Sequence, residues 1–86
     1  MLIEVRPETA EQLRAATTAA CGDDAWRPNE GAVDAMTKRI LCGEFGTAII
    51  EVEKTTCSVL AGRGSLEACI RAGVPIQANV TWWPAP

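Results

Sequence analysis

Four cysteines, a Gly-Arg-Gly-Ser run at 62 to 65 and the acids Asp23, Asp24 and Glu30 hold most of the chemical capacity of this 86-residue chain, which contains no histidine. Without histidine the commonest general base, proton shuttle and imidazole metal ligand are all missing, so Ser-His and Cys-His nucleophile pairs cannot form. Four thiolates would complete a tetrahedral zinc site. Cys21, Cys42, Cys57 and Cys69 contain no C-x2-C pair, however, and three of them fall in segments that read as helix rather than as the tight turns that bring two sulfurs to one metal. They read as structural thiols of a reducing compartment, with no metal or other cofactor assigned. Asp23, Asp24 and Glu30 could converge on a hard divalent cation, but their run lacks the alternating acids and central glycine of an EF-hand and reads as a solvated acidic turn. Gly62, Arg63, Gly64 and Ser65 lie between a predicted strand and a predicted helix, where backbone amides and a basic side chain can hold an anion. The run lacks the Walker ending and the dinucleotide spacing, and Glu67 already answers the dipole of the following helix, so anion or nucleotide binding is a secondary expectation. No catalytic site is expected.

The tryptophans give a stronger lead. The chain has three, with one Phe and no Tyr, and two of them are adjacent near the end of IQANVTWW. As a strand this segment sets Ile76, Ala78, Val80 and Trp82 on one face and Gln77, Asn79, Thr81 and Trp83 on the other. If helices cover only the first face, the second is open and Trp83 becomes an apolar group offered to a partner. Exposed large apolar groups mark contact sites, and tryptophan is enriched among residues that dominate interface energies. Trp26, in the polar turn beside Arg27 and Pro28, is the second candidate contact, with Asp23, Asp24 and Glu30 around it.

The elements that position these residues follow from caps and periodicity. Leu2 to Val5 reads as a strand stopped by Pro7, which also presets a helix start. A helix from about residue 8 to 21 follows, with a Thr9-x-x-Gln12 capping box, an inward stripe of Ala10, Leu13, Thr17 and Ala20, and Gly22 as its stop. Asn29 suits the cap of a second helix over residues 30 to 42, with Val33, Met36, Ile40 and Leu41 inward and Gly43 beyond it. TAIIEV at 47 to 52 reads as a strand with Ala48, Ile50 and Val52 on one face and Ile49 and Glu51 on the other. TTCSVLA at 55 to 61 favours a second strand, joined by a turn at Glu53 and Lys54 that carries no turn signature. Ser65 caps a third helix to about residue 72, and the IQANVTWW strand closes the chain.

The resulting order, β-α-α-β-β-α-β over residues 1 to 86, describes one α+β domain, a small antiparallel sheet with helices on one face. It resembles the ferredoxin-like βαββαβ plan with the first crossover split into two helices. That resemblance rests on element order and implies a fold, not a function.

Composition narrows the function. With 48% hydrophobic and 22% charged residues the chain is an ordinary globular protein. Residues 1 to 53 hold ten acids and five bases, and the net charge is -3. Eight scattered bases form no stripe for phosphate neutralisation, which argues against direct nucleic-acid binding. An acid and a base in the first six residues, and no apolar run of signal or membrane-spanning length, point to a cytoplasmic location away from membranes. The expected function is a non-enzymatic protein-binding module, a small inhibitor or adaptor. That class includes small bacteriophage counter-defence proteins of the anti-CRISPR kind, which occlude basic, nucleic-acid-binding host complexes, and no motif in this sequence identifies that group. A homodimer or other homo-oligomer pairing through the sheet face is the alternative.

Overall fold

In the computed structural model, which describes residues 1–82, the chain runs β1 (Leu2–Val5), α1 (Pro7–Cys21), a short 3-10 turn (Asp23–Ala25), α2 (Glu30–Cys42), β2 (Thr47–Val52), β3 (Val59–Ala61), α3 (Arg63–Ala72) and β4 (Ile76–Val80). The α+β class and the element order are those expected. Pro7 opens α1, and Arg6 caps it in extended backbone without a side-chain bond. The Thr9–Gln12 capping box does not form, because the fixed φ of proline starts the helix earlier and both residues lie inside it. Asn29 does cap α2, its side chain accepting the Ala32 N–H at 3.0 Å, and Gly43 closes that helix in left-handed backbone. α3 begins at Arg63 behind a left-handed Gly62, two residues before the Ser65 cap that was expected.

The four strands form one sheet in the order β1-β4-β2-β3. β4 is antiparallel to β1 but parallel to β2, and β3 is antiparallel to β2, so the sheet is mixed rather than wholly antiparallel. The cause is the length of β3. It has only three residues, and after Gly62 the chain passes directly into α3, so β3 and α3 together return the chain and deliver β4 alongside β2 in the same direction. β2 and β3 form a hairpin, but the turn is wider than Glu53 and Lys54. Residues 55 to 58, expected in a strand, belong to it: Cys57 N–H donates to Glu53 O and Glu53 N–H to Ser58 O, both at 2.9 Å. The Glu53 carboxylate accepts from the Thr56 N–H and hydroxyl, while Cys57 sits at φ 59°.

Alternation places the core on one side of the sheet. Val5, Ala48, Ile50, Val52, Ile76, Ala78 and Val80 are buried, whereas Glu4, Thr47, Ile49, Glu51, Gln77 and Asn79 are exposed. The buried row packs with Ala10 and Leu13 of α1, Val33 and Ile40 of α2, and Leu66, Ala68 and Cys69 of α3. α3 is the middle helix, packed on both α1 and α2. Thr17, fully buried in α1, donates to Leu13 O at 2.7 Å and accepts the Val59 N–H at 2.8 Å, fixing the start of β3. Ala20 and Leu41, expected inward, are exposed, and Trp82 packs half-buried against the core as expected. Among the described residues no helix is long and apolar enough to cross a membrane.

Gly62 is the tightest backbone position in this arrangement. Its φ is +95°, and a Cβ there would lie 2.8 Å from the Ile49 carbonyl oxygen and 2.9 Å from the Ile50 side chain. A left-handed non-glycine residue alone costs about 1–3 kcal/mol. Gly62→Ala is therefore expected to lower unfolding free energy by at least about 2 kcal/mol in urea titration, whereas Gly43→Ala, left-handed but in open space, is expected to cost less.

Candidate functional site

The helix layer is held by one buried acid. Glu67 of α3 is 7% exposed. Its Oε1 accepts from Arg14 Nη1 of α1 and from Trp26 Nε1 of the turn, both at 2.9 Å, and its Oε2 accepts from Arg71 Nε at 3.0 Å. Arg71 then forks onto Glu30 of α2 through Nη1 and Nη2, at 2.6 and 2.9 Å. Burial pushes the Glu67 carboxyl up, but the donors of Trp26, Arg14 and Arg71 outweigh it and hold it below the usual carboxylate range. Hydrogen bonds from Arg71, reinforced by its charge, likewise lower Glu30.

This network decides the role of several residues singled out in the sequence. Trp26 is half-buried with its indole N–H bound, a clamp between turn and helix rather than a free contact. Glu30 is exposed but committed to Arg71, and Asp24 pairs with Arg27 at 2.6 Å on the surface. Asp23 is exposed in the 3-10 turn. Among the described residues no three of the His, Cys, Asp and Glu side chains gather as metal ligands would. Cys21 and Cys42 are exposed at helix ends, Cys57 is half-buried, and burial pushes the thiol of Cys69 up to about 11, away from nucleophilic use.

The Gly62–Ser65 run is a packing junction. Arg63 donates from Nε to Val59 O at 2.8 Å and from Nη1 to Ala25 O, so its guanidinium joins the hairpin to the 3-10 turn instead of facing a ligand. Gly64 abuts Met36, and the Ser65 hydroxyl points to the Met36 sulfur at 3.7 Å. For the anion reading of this run, the Nε and Nη1 groups of Arg63 are thus committed to backbone carbonyls. A groove of about 150 Å³ lined by Ile40, Phe45, Pro75 and Ile76 is well below the several hundred Å³ of a small-molecule site.

What remains is the sheet face opposite the helices. Gln77, Asn79 and Thr81 are exposed on it as expected, while Trp83 lies outside the described residues. Strand register sets Leu2, Asn79 and Ile49 in one row across three strands, and Glu4, Gln77 and Thr47 in the next. Leu2, Ile49 and Leu60 are 66%, 73% and 59% exposed, a density of large apolar side chains that neighbouring polar groups do not cover. Glu51 adds an acid, and Glu4 and Arg6 form a loose surface pair at 3.5 Å. The Met1 amino group donates to Asn79 Oδ1 at 2.9 Å, which fixes that amide in the centre of the face. Ile49 was visible in the sequence alternation. Leu2 was not singled out, and Leu60 is turned outward by the irregular register between β2 and β3, which no sequence signal marks.

No known family, no curated protein and no solved structure matches this chain.

The buried network has a pH signature. Because Glu67 is lowered in the folded state, its contribution is complete above the ordinary carboxylate value of about 4.3 and is lost as pH falls through the lower folded value. Glu67→Gln removes the charge and replaces one of the two acceptor oxygens with an NH2 group that faces a donor, so it is expected to cost about 3 kcal/mol near pH 7. Chemical denaturation from pH 7 to 2 should show that penalty shrinking with acid, as the wild type converges on the variant.

Proposed function

We propose that this chain is a non-enzymatic protein-binding module, an inhibitor or adaptor, that docks through its bare sheet face. The observation that carries this reading is the pair of exposed residues Leu2 and Ile49 in one row of an otherwise polar face, with Leu60 exposed on the neighbouring β3. Large exposed apolar side chains set among polar groups suit a protein contact. The absence of histidine and the engagement of Arg63 by two carbonyls turn the reading away from general base catalysis and anion chemistry. Glu4 and Glu51 favour a partner carrying Lys and Arg near its own apolar anchors, as a nucleic-acid-binding protein does, and they would speed association in a salt-sensitive way.

Affinity capture with parallel baits tests this. A partner held by the wild type should be lost with Ile49→Asp, a change on the open face that leaves the core untouched, and retained with Lys38→Glu on the helix side. Replacing Glu51 with Lys should slow association several-fold at low salt and change little at high salt. A partner that survives Ile49→Asp and is lost with Lys38→Glu would place the docking surface on the helices and refute the proposal.

A further inference from the structure

The connection between α1 and α2 has no core of its own: none of residues 22 to 29 is buried. Gly22 closes α1 by donating its N–H to Thr18 O, and Asn29 caps the start of α2. Between these ends the internal bonds are Ala25 N–H to Gly22 O and the surface pair of Arg27 with Asp24. Among the described residues, two hydrogen bonds tie residues 23 to 28 to the rest of the protein, and both lead to α3. Trp26 Nε1 donates to Glu67 Oε1 at 2.9 Å, and Arg63 Nη1 donates to the Ala25 carbonyl. The Trp26 ring adds a half-buried contact at the margin of the core. At one end of the segment Gly22 holds φ +95° with nothing within 4 Å of the site a Cβ would occupy, so the backbone can turn there. At the other end Asn29 is in extended backbone.

We propose that residues 23 to 28 form a strap, latched to α3 by the Glu67 carboxylate, that opens as a unit when that acid is protonated while the sheet and α3 stay folded. The charged groups around the latch are Arg14 from α1, Arg71 from α3 and, through Arg71, Glu30 from α2, while the sheet contributes the apolar Val5, Ile50 and Val80 to the core beneath. Burial raises the Glu67 carboxyl, and the Trp26 N–H is foremost among the donors that outweigh it. Coupling of this kind is reciprocal: a closed strap that holds the proton off is itself loosened when the proton binds. Oε1 serves Trp26 and Arg14 together, and a protonated carboxyl accepts less strongly than an ionised one. Arg14 and Arg71 are part-exposed and can turn to water. The indole N–H reaches water only by leaving with the strap. Because Glu67 is lowered in the folded state, the latch is complete at neutral pH and releases as pH falls below the ordinary carboxylate range. The strap belongs to the helix layer, so its opening leaves the face of Leu2 and Ile49 unchanged.

Hydrogen exchange followed by NMR on the full chain from pH 7 to 2 tests this, with the Trp26 indole N–H assigned by its loss in Trp26→Phe and its protection taken relative to the amino acid tryptophan at the same pH. The expected result is that indole protection falls about tenfold or more as Glu67 protonates, while the Ile50 and Ala78 amides keep theirs. Trp26→Phe retains a ring but no N–H, and Glu67 should then titrate at a higher pH, read from its side-chain carboxyl carbon. Arg63→Ala cuts the second tie and should lower indole protection about tenfold already at pH 7, again with Ile50 and Ala78 protected. An indole that loses protection only together with Ile50 and Ala78, a Glu67 titration unmoved by Trp26→Phe, or indole protection unchanged by Arg63→Ala would overturn the proposal.

Discussion

One carboxylate sets the architecture. Ionised Glu67 is unfavourable in the core unless several donors reach it, and its donors come from different segments: Arg14 on α1, Trp26 in the connecting turn and Arg71 on α3 itself, which carries the link on to Glu30 of α2. An apolar contact can slide; a carboxylate with fixed donors cannot without leaving a buried group unpartnered. The helices therefore have one arrangement that satisfies the acid, with α3 in the middle and its neighbours against it.

That arrangement covers one side of the sheet only. Among the described residues there is no further element to build a third layer, and α1, α2 and α3 are all engaged with the row that begins at Val5 and runs through Ile50 and Val80. The bare side follows from the clamp rather than from any motif. On it the sequence places Leu2, Ile49 and Leu60 where solubility alone would favour polar residues. The stable half of the molecule is thus a mount for the other half, which links the buried charge to the proposed function.

Much of the fold was legible because single residues dictate it. Pro7, Asn29, Gly43 and Gly73 mark helix ends through fixed φ, side-chain capping and left-handed backbone, and the alternation in Ile76 to Val80 fixes a face. The open side of the sheet was legible to the same extent, since Gln77, Asn79 and Ile49 fall on the exposed side by period alone. What sequence could not show depends on long-range partners. Read from a helix start at Ser65, Glu67 looks like an ordinary dipole ligand; the helix starts at Arg63 instead, and Arg14, 53 residues earlier, and Trp26, 41 earlier, are brought to the carboxylate. Arg63 beside glycines looks like an anion clamp until the Ala25 carbonyl arrives. The parallel β2–β4 pair turns on β3 being cut to three residues by the Thr55–Ser58 turn, which contains no Gly, Pro, Asn or Asp.

The claim that a single layer of helices leaves the far side of the sheet open is tested most directly by methyl NMR with a soluble paramagnetic probe. Ile49 and Ile50 are neighbours in sequence and sit on opposite faces of β2. The account predicts strong broadening of the Ile49, Leu2 and Leu60 methyls with Ile50, Leu66 and Val80 protected. Equal protection of Ile49 and Ile50 would contradict it.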